Sequence, residues 1–148
     1  MIQRPTTGKK ADAQGMGPLR DAGVLMHITS LPGPYGIGDL GEAAYAWVDA
    51  LQRAQQRWWQ ILPLGPPGEG YSPYNALSAF AGNPNLISPE TVRREDLLRH
   101  EEVQSAVLPA GPVNYSRVTR TKASIWSIAW ERFRAGAARK LRPGFEQF

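Results

Sequence analysis

The stretch that decides the fold is residues 23–64, which reads GVLMHITSLPGPYGIGDLGEAAYAWVDALQRAQQRWWQILPL. Its first six residues, 23–28, form a short apolar run that predicts a strand buried on both faces. Residues 58–64 predict a second strand of the same kind. A helix is predicted between them. The stretch therefore indicates a β-α-β unit with two parallel, neighbouring strands and a right-handed connection.

The segment between the two apolar runs has the pattern of an amphipathic helix. Asp39 followed three residues later by Glu42 matches a capping box, in which Asp39 accepts hydrogen bonds from the free N–H groups of the first helical turn. Apolar residues then recur at the i, i+3, i+4 and i+7 spacing of one helix face. They are Leu40, Ala43, Ala44, Trp47, Val48, Leu51 and Ala54.

A long loop follows the second predicted strand. Residues 65–84, GPPGEGYSPYNALSAFAGNP, are rich in turn residues and also in aromatic ones, which argues against simple disorder. Loops at the carboxyl ends of parallel strands build the active-site face of barrels. We therefore predict a functional loop here, with Asn83 and Pro84 shaping its exit.

The second half of the chain is predicted to be mainly helical. Ser88 before Pro89 marks a helix start, with Ser88 as the N-cap. A last, long helix is capped by Asn114 or Ser116. Its buried face is expected to hold Val118, Ile125, Ile128, Ala129 and Phe133, with Lys122 and Arg132 elsewhere.

Composition narrows the class of function. The 148 residues contain no cysteine and only two histidines, which excludes disulfides, thiolate metal sites and a His-rich metal cluster. The net charge of +4 comes from dispersed Lys and Arg, which favours a solvated basic surface over a nucleic-acid footprint. No apolar run approaches the roughly 18–20 residues that span a bilayer. Residues 1–21 lack the apolar core of a signal peptide, so we expect a flexible tail on a cytoplasmic protein.

Three motifs resemble the amylomaltase, or disproportionating-enzyme, family of 4-alpha-glucanotransferases. They are HITSLPGPYGIGDLG, WWQILPLGPPG and SPYNALSAFAGNPNLISPE, in the family's order and spacing. The resemblance implies an α/β fold: the first strands and helix of a partial (β/α)₈ TIM barrel in residues 22–90, then a mainly helical insertion in residues 91–148. A closed barrel takes about 250 residues, so we expect an N-terminal fragment of a longer enzyme.

The resemblance also implies a reaction. Members of the family transfer α-1,4-glucan segments between maltooligosaccharides by a retaining double displacement, without metal or organic cofactor. Such chemistry needs two carboxylates about 5–5.5 Å apart. None of the 13 acidic residues follows a convincing strand, and Glu69, within the long loop, is the only one expected to face a site. In the family the catalytic acids come from later strands. We therefore assign no catalytic residue and expect this chain alone to be poorly stable and inactive.

Two loop residues carry over from the family as substrate-binding candidates. Tyr74 matches the tyrosine that packs against the sugar ring at the bond being cut, although a loop-packing tyrosine is the alternative. Ser72 matches the neighbouring acceptor position, with a turn-stabilising serine as its alternative. Many relatives carry an aromatic residue in place of Glu69 and an acid in place of Tyr71. In some relatives the first of these positions contributes to a second glucan-binding surface. Tyr71 is a candidate to replace part of the stacking that Glu69 cannot provide there.

Other conspicuous side chains are assigned structural roles. Trp58 and Trp59 lie on a predicted buried strand, so we expect both in the core. Trp126 and Trp130 form an i, i+4 pair that indicates helix packing. His27 has no identifiable nucleophile partner and is expected to be a hydrogen-bonded structural histidine.

Two other functions are compatible with these residues. A stand-alone, non-catalytic glucan-binding module would use the loop without needing carboxylates. A hydrolase of the wider α-amylase group would form the same covalent intermediate and pass it to water instead of a sugar. The three motifs favour transfer.

Overall fold

The structure is a computed structural model that describes residues 21–78 and 80–148. The predicted tail at residues 1–21 therefore lies, except for Asp21, outside the described residues. The strands and α-helices are, in chain order, β1 (Gly23–Leu25), α1 (Glu42–Arg53), β2 (Trp58–Gln60), α2 (Pro89–Arg94), α3 (His100–Ser105), α4 (Tyr115–Arg134) and α5 (Arg142–Gln147). None of these helices is both long and apolar enough to cross a membrane.

The predicted β-α-β unit is present, with shorter strands than the apolar runs indicated. β1 and β2 pair in parallel, with Val24 opposite Trp59. Two flanking hydrogen bonds lengthen the ladder, from the Met26 N–H to the Gln60 carbonyl and from the Arg57 N–H to the Ala22 carbonyl. Gly23 is required by close approach, because a Cβ there would lie 2.6 Å from the Cβ of Trp58.

The prediction that the sheet is buried on both faces is wrong for the described residues. Leu25 is 59% exposed and Trp58 is 65% exposed, so the core role expected of Trp58 is not found. Trp59, on the opposite face, packs against the core and donates its Nε1–H to the Met26 carbonyl at 2.7 Å. The reason is that the described elements pack against one face of a two-stranded sheet and leave the other uncovered.

Two hydrophobic clusters form the core. The first joins the β-α-β unit to the exit of the long loop and contains Ile28, Leu31, Ala44 and Leu86. The second joins the helices and contains Tyr35, Leu98, Val103, Ala106, Ile125 and Ala129. Tyr35 belongs to the turn-rich segment after β1, so this segment reaches into the helical cluster.

The predicted capping box at the start of α1 is wrong. The N-cap is Gly41, which has no side chain to cap the helix, and the side chain of Glu42 is exposed to solvent. Asp39 Oδ1 accepts a hydrogen bond from the Gly41 N–H at 3.0 Å, just outside the helix. Its other oxygen, Oδ2, accepts from Lys122 Nζ at 3.2 Å. A partner 83 residues away in sequence has therefore taken the carboxylate that local spacing assigned to the helix.

α4 confirms the predicted long helix and corrects its buried face. Asn114 caps it, with Oδ1 accepting from the Arg117 N–H at 2.9 Å. Ile128 is partly exposed, contrary to expectation, whereas Lys122 is only 1% exposed. The observed buried stripe is Val118, Lys122, Ile125, Ala129 and Phe133, with steps of three and four residues.

The buried ammonium group of Lys122 is fully hydrogen-bonded. In addition to Asp39, Nζ donates to the carbonyl oxygens of Asn85 at 2.7 Å and Ile87 at 2.8 Å. An ammonium group has three donors, and all three have acceptors here. Burial lowers the pKa of Lys122, and the charge of Asp39 opposes that shift. The lysine thus fastens α4 to the start of α1 and to the exit of the long loop.

Ser88 is the N-cap of α2 and Pro89 its first residue, as predicted.

The helices α3 and α4 are joined by a further ion pair. Glu102 in α3 accepts from Arg132 in α4, with Nη2–Oε1 at 2.6 Å, and also from the Arg99 N–H at 2.7 Å. These hydrogen bonds from Arg132 and Arg99 lower the pKa of Glu102 to about 2.

We expect Lys122→Met to lower the free energy of unfolding by about 3–5 kcal/mol, because it leaves a buried carboxylate and two carbonyls without their partner. Asp39→Asn should cost less, since Lys122 keeps both carbonyl acceptors. Urea denaturation followed by tryptophan fluorescence measures both changes. Lys140→Met is the matched control, because Lys140 pairs with Glu95 at the surface, and it should leave the midpoint nearly unchanged. Equal shifts for the two lysine variants would contradict this role of Lys122.

The Glu102–Arg132 pair predicts a pH-dependent contribution to stability. Because the folded-state pKa of Glu102 lies below its ordinary value of 4.5, the pair stabilises the fold fully above that value. The contribution is lost as the pH falls from 4.5 towards about 2. The difference in unfolding midpoint between wild type and Glu102→Gln should therefore be largest near neutral pH and shrink in acid. Glu101→Gln, at the exposed neighbouring position, should show no such trend.

Candidate functional site

The candidate site is the loop of residues 65–84, which begins just beyond the carboxyl end of β2. The loop folds back on itself as a short hairpin, with an antiparallel bridge between Pro67 and Ala76. The Gly68 N–H donates to the Asn75 carbonyl at 2.6 Å, and the Leu77 N–H donates to the Pro66 carbonyl at 3.0 Å. The tip of the hairpin is the turn Glu69–Tyr71. The segment 66–77 is therefore an ordered hairpin beyond the strand ends.

Tyr74 and Ser72, the two predicted substrate-binding residues, lie in the turn that follows this tip. The side chain of Tyr74 is among the most exposed in the loop, at 75%. Ser72 is also exposed, and its Oγ accepts a long hydrogen bond of 3.4 Å from the Tyr74 N–H. Its carbonyl accepts from the Asn75 N–H at 3.0 Å. Both side chains are accessible to a ligand, while the contacts of Ser72 also fit a turn-stabilising role.

The exit of the loop is built by Asn83, as the sequence predicted. Asn83 Oδ1 accepts from the Asn85 N–H at 3.0 Å and starts the 3₁₀ turn Pro84–Leu86. The side chain of Asn85 then donates to Thr119 Oγ1 in α4 at 3.0 Å. The exit is consequently attached to α4 through Asn85 as well as through Lys122.

A small cavity lies at the carboxyl ends of the two strands, between them and the loop. It has a volume of about 90 Å³, enough for a few water molecules or one substituent of a ligand. It is lined by His27, Thr29, Pro63, Gly65, Pro67, Tyr71, Pro73, Asn83 and Tyr115. The cavity is thus the point where strand ends, loop and α4 meet.

His27, which lines this cavity, departs from its predicted role. Its Nδ1 atom is buried and has no hydrogen-bond partner among the described residues, whereas the sequence indicated a hydrogen-bonded structural histidine. Burial lowers the pKa of the imidazole, which favours the neutral form at pH 7.

A larger cavity of about 350 Å³ lies between the loop and α4. Its walls are mostly proline and aromatic side chains, with Trp126 at one end. Trp126 donates its Nε1–H to the Pro84 carbonyl at 3.2 Å, in agreement with the packing role predicted for it. Trp130, its i+4 partner, stacks instead on Phe133 in the last turns of the helix.

Tyr71 lines both cavities, as do Pro67 and Asn83. Its ring stacks on that of Tyr115, with centroids 4.9 Å apart and planes inclined by 14°. Its hydroxyl lies 3.1 Å from Ser116 Oγ. Sequence reasoning did not identify Tyr115 and Ser116 as partners of Tyr71, because it placed them only at the start of the predicted last helix. One face of Tyr71 is therefore occupied by protein, whereas Glu69 is exposed to solvent at the hairpin tip.

The carboxylates of the described residues form no metal centre. No group of three or more His, Asp or Glu side chains in this part of the chain is placed to hold a metal ion. Asp39, the carboxylate within the first motif, is paired with Lys122. We assign no catalytic carboxylate to the described residues.

Comparison with known proteins identifies the family. A family model described as 4-alpha-glucanotransferase matches residues 26–148, and the chain belongs to this family. It is 43% identical over 116 residues to a 4-alpha-glucanotransferase of Streptococcus pneumoniae, covering 77% of this chain and 23% of the relative. It is 41% identical over 129 residues to the Thermus thermophilus enzyme, covering 87% and 25%. The chain spans about a quarter of the length of these curated relatives.

The structural comparison agrees. An amylomaltase from Streptococcus agalactiae, solved in complex with acarbose, superimposes with a TM-score of 0.78 at 38% identity. The match covers 87% of this chain and 27% of that chain. A plant relative from Solanum tuberosum, named as chloroplastic/amyloplastic, is 42% identical over 133 residues and is matched over 87% of this chain and 23% of its own length.

Proposed function

We propose that this chain is part of a 4-alpha-glucanotransferase that transfers α-1,4-glucan segments between oligosaccharides in starch or maltodextrin metabolism. The observation that carries the proposal is the exposed Tyr74, held on an ordered loop at the carboxyl ends of two parallel strands, in a chain that belongs to this family. The amylomaltase of similar structure was solved with acarbose, which supports an oligosaccharide as the ligand. The proposed location is the cytoplasm, which the cysteine-free sequence supports.

The proposed architecture is a partial (β/α)₈ barrel. Residues 22–90 would form its first strands and helix, and residues 91–148 would form a mainly helical insertion. The uncovered side chains of Leu25 and Trp58 support this proposal, because parallel sheets are normally covered on both faces. The similarity to an amylomaltase about four times as long as the matched segment supports it as well.

In this proposal the loop binds the glucan and other parts of the enzyme supply the reacting carboxylates. Tyr74 presents a flat apolar face to a sugar ring and a hydroxyl to its polar edge. Ser72, two residues before Tyr74 in sequence, offers a hydroxyl to the acceptor sugar. A retaining double displacement needs its two carboxylates about 5–5.5 Å apart, one as nucleophile and one as acid/base. Positioning of the sugar is the contribution of the present chain.

The proposal is tested with maltotriose and the complete gene product that carries this chain. We expect glucose and longer maltooligosaccharides to form, and none with the 148-residue chain alone. Tyr74→Ala should lower kcat/KM about tenfold, the equivalent of one aromatic contact of about 1.4 kcal/mol. Tyr45→Ala, at an exposed position on α1, is the matched control and should have no effect. Release of glucose without longer products would indicate hydrolysis and contradict the proposal.

A stand-alone, non-catalytic glucan-binding module is the second candidate. The exposure of Tyr74 on an ordered loop favours it, because binding needs no carboxylate pair. We expect such a module to be retained on immobilised amylose as the 148-residue chain, and retention to be lost on Tyr74→Ala. If the wild-type 148-residue chain passes through the column and the complete gene product has transfer activity, the binding module is excluded in favour of the glucanotransferase.

A further inference from the structure

Within the loop of residues 65–84, here called the substrate loop, the hairpin of residues 66–77 is held mainly by hydrogen bonds within itself. The hairpin is closed by the backbone bonds of Gly68 and Leu77 described above and by a bond from the Asn75 side-chain amide to the Glu69 carbonyl at 3.3 Å. None of these bonds joins the hairpin to another element. An exposed hairpin with only local bonds is expected to open readily.

Tyr71, in contrast, makes contacts outside the hairpin. Its ring and hydroxyl reach across the loop to two residues of the first turn of α4, Tyr115 by stacking and Ser116 by a hydrogen bond. This turn is itself fixed, because Asn114 caps it and Lys122 anchors the helix two turns further on. Tyr71 therefore connects a loop with local bonds to one of the most firmly held helices of the chain.

The backbone of Tyr71 indicates that this contact is maintained against local preference. Its φ is +55°, in the left-handed region that aromatic residues rarely adopt. Gly70 before it also has a positive φ, of +77°, where glycine is unstrained. Such a conformation persists only where the surroundings determine it. Here the surroundings are the stacked ring of Tyr115 and the hydroxyl of Ser116.

We propose that Tyr71 is a positioning residue. Its contacts with Tyr115 and Ser116, here called the clasp, hold the substrate loop against α4 and so order Ser72 and Tyr74 before a glucan binds. This inference rests on the proposed function insofar as Ser72 and Tyr74 contact glucan. Tyr71 acts through its neighbours: Ser72 follows it directly, and the Ser72 side chain and carbonyl accept from the Tyr74 and Asn75 N–H groups. Ordering the loop in advance increases the fraction of protein that is competent to bind.

The stack on Tyr115 also makes one face of the Tyr71 ring unavailable to a sugar. Tyr115 lies 4.9 Å away in a nearly parallel stack, which leaves no space for a sugar between the two rings. The hydroxyl of Tyr71 is engaged with Ser116 on the same side. The contribution of Tyr71 is thus expected in the conformation of the loop.

The first test is hydrogen exchange of the loop in the complete gene product without sugar. Tyr71→Ala and Tyr115→Ala should each raise exchange of the Gly68 and Leu77 amides about tenfold, and the double variant should add little more. Tyr71→Phe keeps the stack and should largely rescue the loop. Ser116→Ala should match Tyr71→Phe, because both remove the same hydrogen bond. Exchange within α4 and the thermal midpoint should stay unchanged in every variant.

The second test separates binding from chemistry. Tyr71→Ala should raise the KM for maltotriose about tenfold with a smaller change in kcat, because bound glucan orders the loop again. Tyr71→Asn, which tolerates the left-handed backbone but lacks the ring, should behave like Tyr71→Ala and provides a second variant if alanine disturbs folding. Tyr45→Ala is the control at an exposed tyrosine outside the loop.

Four results would overturn the inference. Unchanged loop exchange in the Tyr71→Ala and Tyr115→Ala proteins would mean that the clasp does not order the loop. Faster exchange throughout α4 would mean a general structural role. Faster loop exchange with an unchanged KM would remove the link to substrate positioning, and failure of Tyr71→Phe to restore the loop would remove the link to stacking. If the wild-type protein transfers no glucan, the proposed function fails, whereas the exchange measurement still decides whether the clasp exists.

Discussion

Burial of one ammonium group constrains how three segments of the described residues are arranged. A lysine without solvent needs an acceptor for each of its three protons, and Lys122 takes them from Asp39, Asn85 and Ile87. These acceptors belong to two segments that lie far from α4 in sequence. Because an unsatisfied buried charge is so unfavourable, the start of α1, the loop exit and α4 can be assembled in few other ways.

α4 carries this constraint from the core to the candidate site. Seven residues, or about 10.5 Å of helix, separate Lys122 from Tyr115 in the first turn. A capped helix of 20 residues is stiff over that distance, so Tyr115 and Ser116 are placed as firmly as the buried lysine. The loop of residues 65–84 is consequently held at two places, near its exit by the acceptors of Lys122 and at its tip by Tyr71.

The features that depend on the periodicity and spacing of neighbouring residues were predicted from the sequence. The β-α-β unit, the helix α1 and the Asn114 cap follow from periodicity and spacing, and all three are present. Asp39, Lys122 and Trp58 were misassigned, because each depends on a partner distant in sequence or on how much of the sheet is covered. The stack of Tyr71 on Tyr115 was missed for the same reason, since nothing in a single sequence links positions 44 residues apart. Motif resemblance supplied the loop residues Ser72 and Tyr74, which physical patterns alone could not distinguish from an ordinary turn.

The proposed separation of sugar binding from bond cleavage is physically reasonable in a barrel. The carboxyl ends of all parallel strands meet at one rim, so residues distant in sequence converge on the same ligand. The present loop needs only to hold an aromatic face and a hydroxyl at that rim, and its attachment to α4 can achieve this with no carboxylate beside Tyr74. The carboxylates, by contrast, need a low-dielectric environment that separates their pKa values, which the exposed side of a hairpin does not provide. A solvent-facing tyrosine on a clasped loop, with no carboxylate assigned beside it, is therefore the arrangement expected of a substrate-binding wall.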